Sequence, residues 1–308
     1  MKSCLTRRRF LQATATAAAL SPLLSSRLAA APAEPIKKAI PASGERISVI
    51  GVGTSRTFDI DVEDAAQSPL LEVMRAFFDN GGQLIDSSPM YGNAEAVTGA
   101  LLAQLDNTAG LFSATKVWTY GKQEGIEQMR RSMRRLGVQR IDLMQIHNLR
   151  DWRVQLETLR QWKAEGLLRY IGITTSHGRY HDELEDILRQ QPLDFVQFSY
   201  NIENRDAEDR LLPIARDRGI ATLINRPYQR GSLFRRVKGK ELPGWAAEFD
   251  CASWGQFFLK FIASHPDVTC IIPATSKVKH MVDNMGAGYG RLPDAAMRER
   301  MAGYMASL

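Results

Sequence analysis

Cysteine is scarce in this chain of 308 residues: Cys4, Cys251 and Cys270 are all it has. So few thiols make neither a disulfide framework nor a zinc site, and no metal is expected. No apolar run is long and uninterrupted enough to be a stable membrane span; the nearest, Phe10 to Leu24, is mild and rich in alanine. Disordered composition is also missing, because 44% hydrophobic and 24% charged residues are ordinary for a chain with a sizeable core. Finally, Gly51-Val52-Gly53-Thr54 lacks the third glycine of the dinucleotide-binding fingerprint, and no regular helix follows it at once.

Acidic residues are absent from the first 33 positions, which hold Lys2, Arg7, Arg8, Arg9 and Arg27. That segment carries +5 of the formal net charge of +6, and the remainder has 35 basic against 34 acidic residues. A large basic surface for nucleic acid is thereby excluded. A charged start, an apolar stretch and small residues up to Ala33 describe a signal peptide over residues 1–33, cut after Ala31 or Ala33. Thr6-Arg7-Arg8-Arg9-Phe10-Leu11 resembles the twin-arginine consensus. The expectation is a protein exported folded, with the twin-arginine translocase as a transient partner and the periplasm or exterior as destination.

From residue 34 to 308 a single domain is expected. Lys37 to Ile40 and Arg46 to Val49 around Ala42-Ser43-Gly44 predict a small hairpin. Eight β-rich runs follow, at 49–52, 83–85, 111–114, 141–146, 170–173, 195–198, 221–224 and 269–272. Helical patterns alternate with them at 69–79, 94–105, 125–136, 154–164, 182–190, 209–218 and 253–263. Eight alternations in about 250 residues suit a (β/α)8 TIM barrel, with the hairpin at its floor. The stretch 227–248 shows no period and is expected to be a long loop after the seventh strand. Phe77, Phe78, Phe257, Phe258 and Phe261 lie at helical spacing and are assigned to the core, whereas Trp118, Tyr120, Trp152, Tyr228, Phe234, Trp245 and Phe249 are placed on mouth loops.

In such a barrel reactive groups stand at the C-terminal ends of strands. Asp86 follows Leu84-Ile85, with Tyr91 on the loop beyond; Lys116 follows the third strand and His147 the fourth. The set suits carbonyl reduction, in which the nascent alkoxide needs a proton. A tyrosine, ordinarily at about 10, is a poor donor at neutral pH. An ammonium at ~4 Å is worth about 4 kcal/mol at an effective dielectric near 20, enough to lower the phenol by about three units. Lys116 is therefore expected to lower Tyr91, with Asp86 keeping the lysine charged and His147 orienting the carbonyl oxygen.

Ile85-Asp86-Ser87-Ser88-Pro89-Met90-Tyr91-Gly92, Ala114-Thr115-Lys116-Val117-Trp118 and Gln145-Ile146-His147-Asn148 resemble the three catalytic motifs of the aldo/keto reductases. The likeness runs over essentially all of residues 34–308. It implies a monomer that reduces an aldehyde or ketone with NADPH, or with NADH, and it makes Tyr91 the general acid. The cofactor set it implies is Gly53, Thr54, Thr174, Thr175, Gln197, Asn225 and Arg226 about the nicotinamide end. Thr275, Ser276, Lys277, Lys279, His280, Asp283 and Asn284 would hold the adenosine phosphate end, and Trp118 would line the substrate pocket. The chain departs from the family pattern at Thr174-Thr175, where Ser-Asn is usual, and at Asn225-Arg226, where a stacking aromatic is usual; Ala274 and His280 also differ. Two other readings stand beside this one: an exported nucleotide-binding sensor of the same fold with marginal turnover, and a Schiff-base lyase acting through Lys116.

Overall fold

The computed structural model describes residues 34–308 apart from Ala109; the signal peptide expected over residues 1–33 lies outside the described residues. The chain enters through the antiparallel hairpin β1 (Lys37–Ala39) and β2 (Arg46–Ser48), with Lys37 opposite Ser48. Gly44 closes its turn at φ +76°, where a side chain would be strained. Eight parallel strands follow in sequential order: β3 (Val52–Gly53), β4 (Leu84–Asp86), β5 (Phe112–Val117), β6 (Ile141–His147), β7 (Leu168–Thr174), β8 (Phe195–Ser199), β9 (Ala221–Asn225) and β10 (Cys270–Ile271). The barrel closes through a parallel bridge between Ile50 and Ile271. Gly51 N–H donates to Ile271 O at 2.8 Å there, and Ile271 N–H to Val49 O at 2.9 Å. A Cβ on Gly51 would meet Leu84 O at 2.7 Å, so the seam requires a glycine.

The helices follow the predicted pattern with small shifts at their ends: α1 (Pro69–Asp79), α2 (Ala94–Leu102), α3 (Lys122–Leu136), α4 (Trp152–Ala164), α5 (His181–Gln190) and α6 (Leu211–Asp217). Their limits have local causes. Ser68 Oγ accepts from Leu70 N–H ahead of Pro69, and Gly137 ends α3 in the left-handed region. Beyond β9 come α7 (Ser232–Arg236), α8 (Trp254–Ala263), α9 (Val278–Gly286) and α10 (Ala295–Ser307).

Two expectations need correction here. The stretch 227–248 is not a bare loop, because it holds α7 and two single-turn segments, Gln229–Gly231 and Gly244–Phe249. Elements this short display no helical period in a sequence. Trp245 and Phe249 do not face the mouth: their rings pack on Phe257 of α8, and Trp245 also on Tyr304 of α10. The five phenylalanines assigned to the core are buried as expected.

Period-two alternation inside the strands determines what fills the barrel. Ile40 and Ile47 of the hairpin join Leu84, Phe112, Ala114, Leu143, Tyr170, Phe195, Ala221, Leu223 and Cys270 in one apolar cluster, which closes the floor. Phe112, Tyr170 and Phe195 meet there with ring centroids 5.5–6.0 Å apart. Continuing upward in steps of two, Ala114 leads to Lys116, Leu143 to Gln145 and His147, Phe195 to Gln197, Leu84 to Asp86 and Leu223 to Asn225. One inward face thus changes from apolar to polar as it rises from floor to mouth. At the far side α10 docks through Arg298, which is buried and bonds Tyr200 Oη and Glu208 Oε1, each at 2.7 Å.

Candidate active site

Asp86, the last residue of β4, and Lys116 on β5 form a salt bridge of 2.5 Å between Oδ2 and Nζ, with both side chains out of solvent. Lys116 Nζ also donates to Ser87 O at 2.7 Å, and it lies 5.1 Å from the centre of the Tyr91 ring. The other Asp86 oxygen accepts from Gln145 Nε2 at 2.9 Å and from Gln197 Nε2 at 3.0 Å. Gly172 of β7 faces Gln145 in register, and a Cβ there would meet Phe195 O at 2.9 Å and Gln145 Cγ at 3.2 Å. The glycine makes room for the neighbouring strands on both sides.

Electrostatics corrects one expectation about the phenol. Burial pushes Tyr91 up; Lys116 pulls it down, but Asp86 pushes it up again, and the net displacement is above the ordinary tyrosine value. An isolated ammonium would have lowered it, but burial outweighs that pull, and the carboxylate that keeps Lys116 charged opposes it as well. Burial pulls Lys116 down, yet Asp86 and the phenol outweigh it and hold the ammonium above the usual lysine range. The resting site therefore presents a neutral phenol next to a permanent cation.

His147 ends β6, its ring edge-on to Tyr91 at 5.7 Å between centroids. Burial, Lys116 and Arg150 together hold its imidazole well below the ordinary value, so it is neutral. Ser88 Oγ lies 2.9 Å from Nδ1 and accepts from Met90 N–H at 3.2 Å. The hydroxyl can donate its proton to Nδ1, and in that tautomer the ring N–H sits on Nε2. A neutral donor next to a neutral phenol is suited to holding a carbonyl oxygen.

Of the residues assigned to the nicotinamide end, Gly53 closes β3 and bonds Pro273 O at 3.0 Å. Thr54 directs its hydroxyl to Ser87 Oγ at 2.9 Å. Thr174 and Thr175 are buried at the top of β7, and Asn225 Nδ2 donates to Thr175 O at 3.0 Å. Gln197 Nε2 donates to Asp86 Oδ1 at 3.0 Å and to Gln145 Oε1 at 3.1 Å, which joins it to the network around the ion pair. Two buried polar atoms in this region lack a partner: Thr175 Oγ1 and Arg226 Nε. Burial, Arg230, Arg56 and Arg179 lower the Arg226 guanidinium to about 10. None of these four arginines forms a salt bridge among the described residues.

At the other end, Ser276, Lys277, Lys279 and His280 are exposed around the start of α9, and Thr275 Oγ1 accepts from Lys277 N–H at 3.1 Å. Asp283 instead bonds Ser253 Oγ at 2.7 Å and Gln256 Nε2 at 3.0 Å, tying α9 to α8. Asn284 is buried and accepts from Tyr228 Oη at 2.6 Å. Trp118 sits beside His147 with 6.5 Å between ring centroids. Sequence reasoning gave no role to Gln145, Ser88 or Arg150. Gln145 carried a signal, since it lies two positions before His147 and shares its face.

The family model described as "Aldo/keto reductase family" matches residues 49–301. An Escherichia coli protein named NADH-specific methylglyoxal reductase is 28% identical over 228 residues, which is 64% of this chain and 66% of that protein. A Schizosaccharomyces pombe oxidoreductase is 32% identical over 160 residues, 51% of this chain and 50% of that one. The chain thus spans less than two thirds of the length of these curated relatives. Among solved structures, an aldo/keto reductase from Klebsiella pneumoniae in complex with NADP and acetate superposes with a TM-score of 0.72. It is 22% identical, and the match covers 87% of this chain and 95% of that one.

The buried ion pair generates a stability prediction. Lys116→Met strands the Asp86 carboxylate and should cost about 3–5 kcal/mol in urea unfolding. Adding Asp86→Asn to that variant should recover part of the loss. A single variant as stable as the native chain would show that the pair is not desolvated as described.

Proposed function

The chain belongs to the aldo/keto reductase family, and from that premise we propose that it reduces an aldehyde or ketone to the alcohol with a nicotinamide cofactor, Tyr91 giving the proton. The observation that carries this reading is the neutral phenol beside a buried, carboxylate-held ammonium at one barrel mouth. Orphaned Thr175 Oγ1 and Arg226 Nε are donors suited to a carboxamide and to an anionic bridge, so the residues present fit such a cofactor. Thr174, Thr175, Asn225 and Arg226 would hold its nicotinamide half. The arginines whose charges lower Arg226 favour an anion there, and Lys277, Lys279 and His280 suit a further phosphate. NADPH is the preferred form on that last ground, while NADH is accommodated in the same groove.

When bound, the reduced nicotinamide supplies a hydride to the carbonyl carbon. His147 Nε2–H holds the carbonyl oxygen in place. The Tyr91 hydroxyl transfers its proton to that oxygen, and the charge left on the phenolate is met by the Lys116 ammonium, which remains protonated through its bond to Asp86. Gln145 and Gln197 fix the carboxylate, so the cation cannot turn away from the phenol.

Tyr91→Phe tests the reading. Carbonyl-dependent oxidation of NADPH should fall at least a thousandfold, while the affinity for NADPH, followed by fluorescence titration, changes less than about threefold. A nucleotide sensor of the same fold would bind the cofactor and show no turnover even in the native chain.

Residues 1–33 are proposed as a twin-arginine signal that carries the barrel, folded and cofactor-loaded, out of the cytoplasm. Arg7→Lys with Arg8→Lys should keep the full-length chain in the cytoplasm of its host in fractionation by immunoblot. Unchanged export of that variant would rule out this route.

A further inference from the structure

Several arginines of this chain end on carboxylate partners. Arg169 reaches Glu45 and Asp142, Arg205 and Arg298 share Glu208, and Arg291 grips Asp250. Arg150 does not. Its guanidinium lies 4.4 Å over the Trp118 ring and 4.7 Å over the Tyr120 ring, with no side-chain hydrogen bond or salt bridge among the described residues. The loop that leaves β6 puts it there: Asn148 and Leu149 both take left-handed φ of 52° and 55°, and Arg150 N–H bonds back to His147 O at 3.2 Å. Ring faces hold a guanidinium by its plane and leave its N–H edge open. One ring, that of Trp118, separates this edge from the His147 imidazole. The cation also pushes His147 down, so a negative charge bound against Arg150 would relieve a field that is uncompensated at rest.

We propose that Arg150 anchors a carboxylate on the substrate, so that this enzyme favours short aldehydes or ketones that carry an acid group a few carbons from the carbonyl. This rests on the carbonyl-reduction reading above and narrows its substrate class. Held by Trp118 and Tyr120, the guanidinium is pre-ordered, and little rotamer freedom remains to be lost when a carboxylate takes its two parallel N–H donors. The carbonyl end then reaches His147 and Tyr91 along the face of Trp118.

The test has a binding arm and a kinetic arm. Quenching of tryptophan fluorescence in the cofactor-loaded protein by butyrate, an unreactive acid, should saturate at much lower concentration than with butyramide. Arg150→Gln should raise the butyrate half-saturation about ten- to a hundredfold, with Arg150→Lys in between. In steady state, the ratio of kcat/KM for succinate semialdehyde to that for its methyl ester should fall by the same factor in Arg150→Gln. Equal binding of butyrate and butyramide by the native chain, or a ratio untouched by Arg150→Gln, overturns the anchor. If butyrate binds as expected but neither carbonyl compound is reduced, the anchor stands and the carbonyl-reduction reading falls.

Discussion

A single buried ion pair organises the mouth of this barrel. Asp86 and Lys116 are both withdrawn from water, and an unpaired charge in that position is untenable. Further hydrogen bonds hold the pair: Ser87 O takes a second lysine proton, and Gln145 and Gln197 supply the free carboxylate oxygen. Gly172 is a glycine because a Cβ there would meet Phe195 O at 2.9 Å and crowd Gln145 Cγ at 3.2 Å. The Tyr91 phenol and the His147 imidazole are set against this fixed charge distribution.

The same pair sets the protonation of its neighbours in opposite senses. Tyr91 stands above its ordinary range because burial and Asp86 outweigh Lys116. His147 stands below its own because burial is reinforced by Lys116 and Arg150. Both groups are neutral across the middle of the pH scale. In the proposed reaction the cation contributes in the transition state, where charge would appear on the phenol, and not in the resting acidity.

Much of this was legible in the sequence. Alternation along the strands is enough to place Asp86, Lys116 and His147 at one end of a barrel, because each continues an inward apolar face by two positions. The hairpin floor and most helices follow from turn residues and apolar period. What the sequence withheld depends on distances. The direction of the Tyr91 displacement could not be read without knowing how deeply the phenol is buried and how near Asp86 lies to it. The partners that Gln197, Asp283 and Asn284 hold in the structure, namely Asp86, then Ser253 and Gln256, then Tyr228, also could not be read from the sequence. The brief helical turns after β9 escape a periodicity test because they are shorter than its window. Arg150 gave no signal at all, since its meaning comes from two rings brought to it by another strand's loop.

The claim on which the rest depends is that the phenol is neutral at rest while a permanent cation waits beside it. The direct measurement is a titration of the Tyr91 Cζ resonance in protein labelled with 13C-tyrosine, assigned with the Tyr91→Phe variant. The account predicts a phenol signal that persists past pH ~10, the ordinary tyrosine value. A tyrosinate signal already formed by pH ~8 would contradict it and return the lowering of Tyr91 to Lys116 alone.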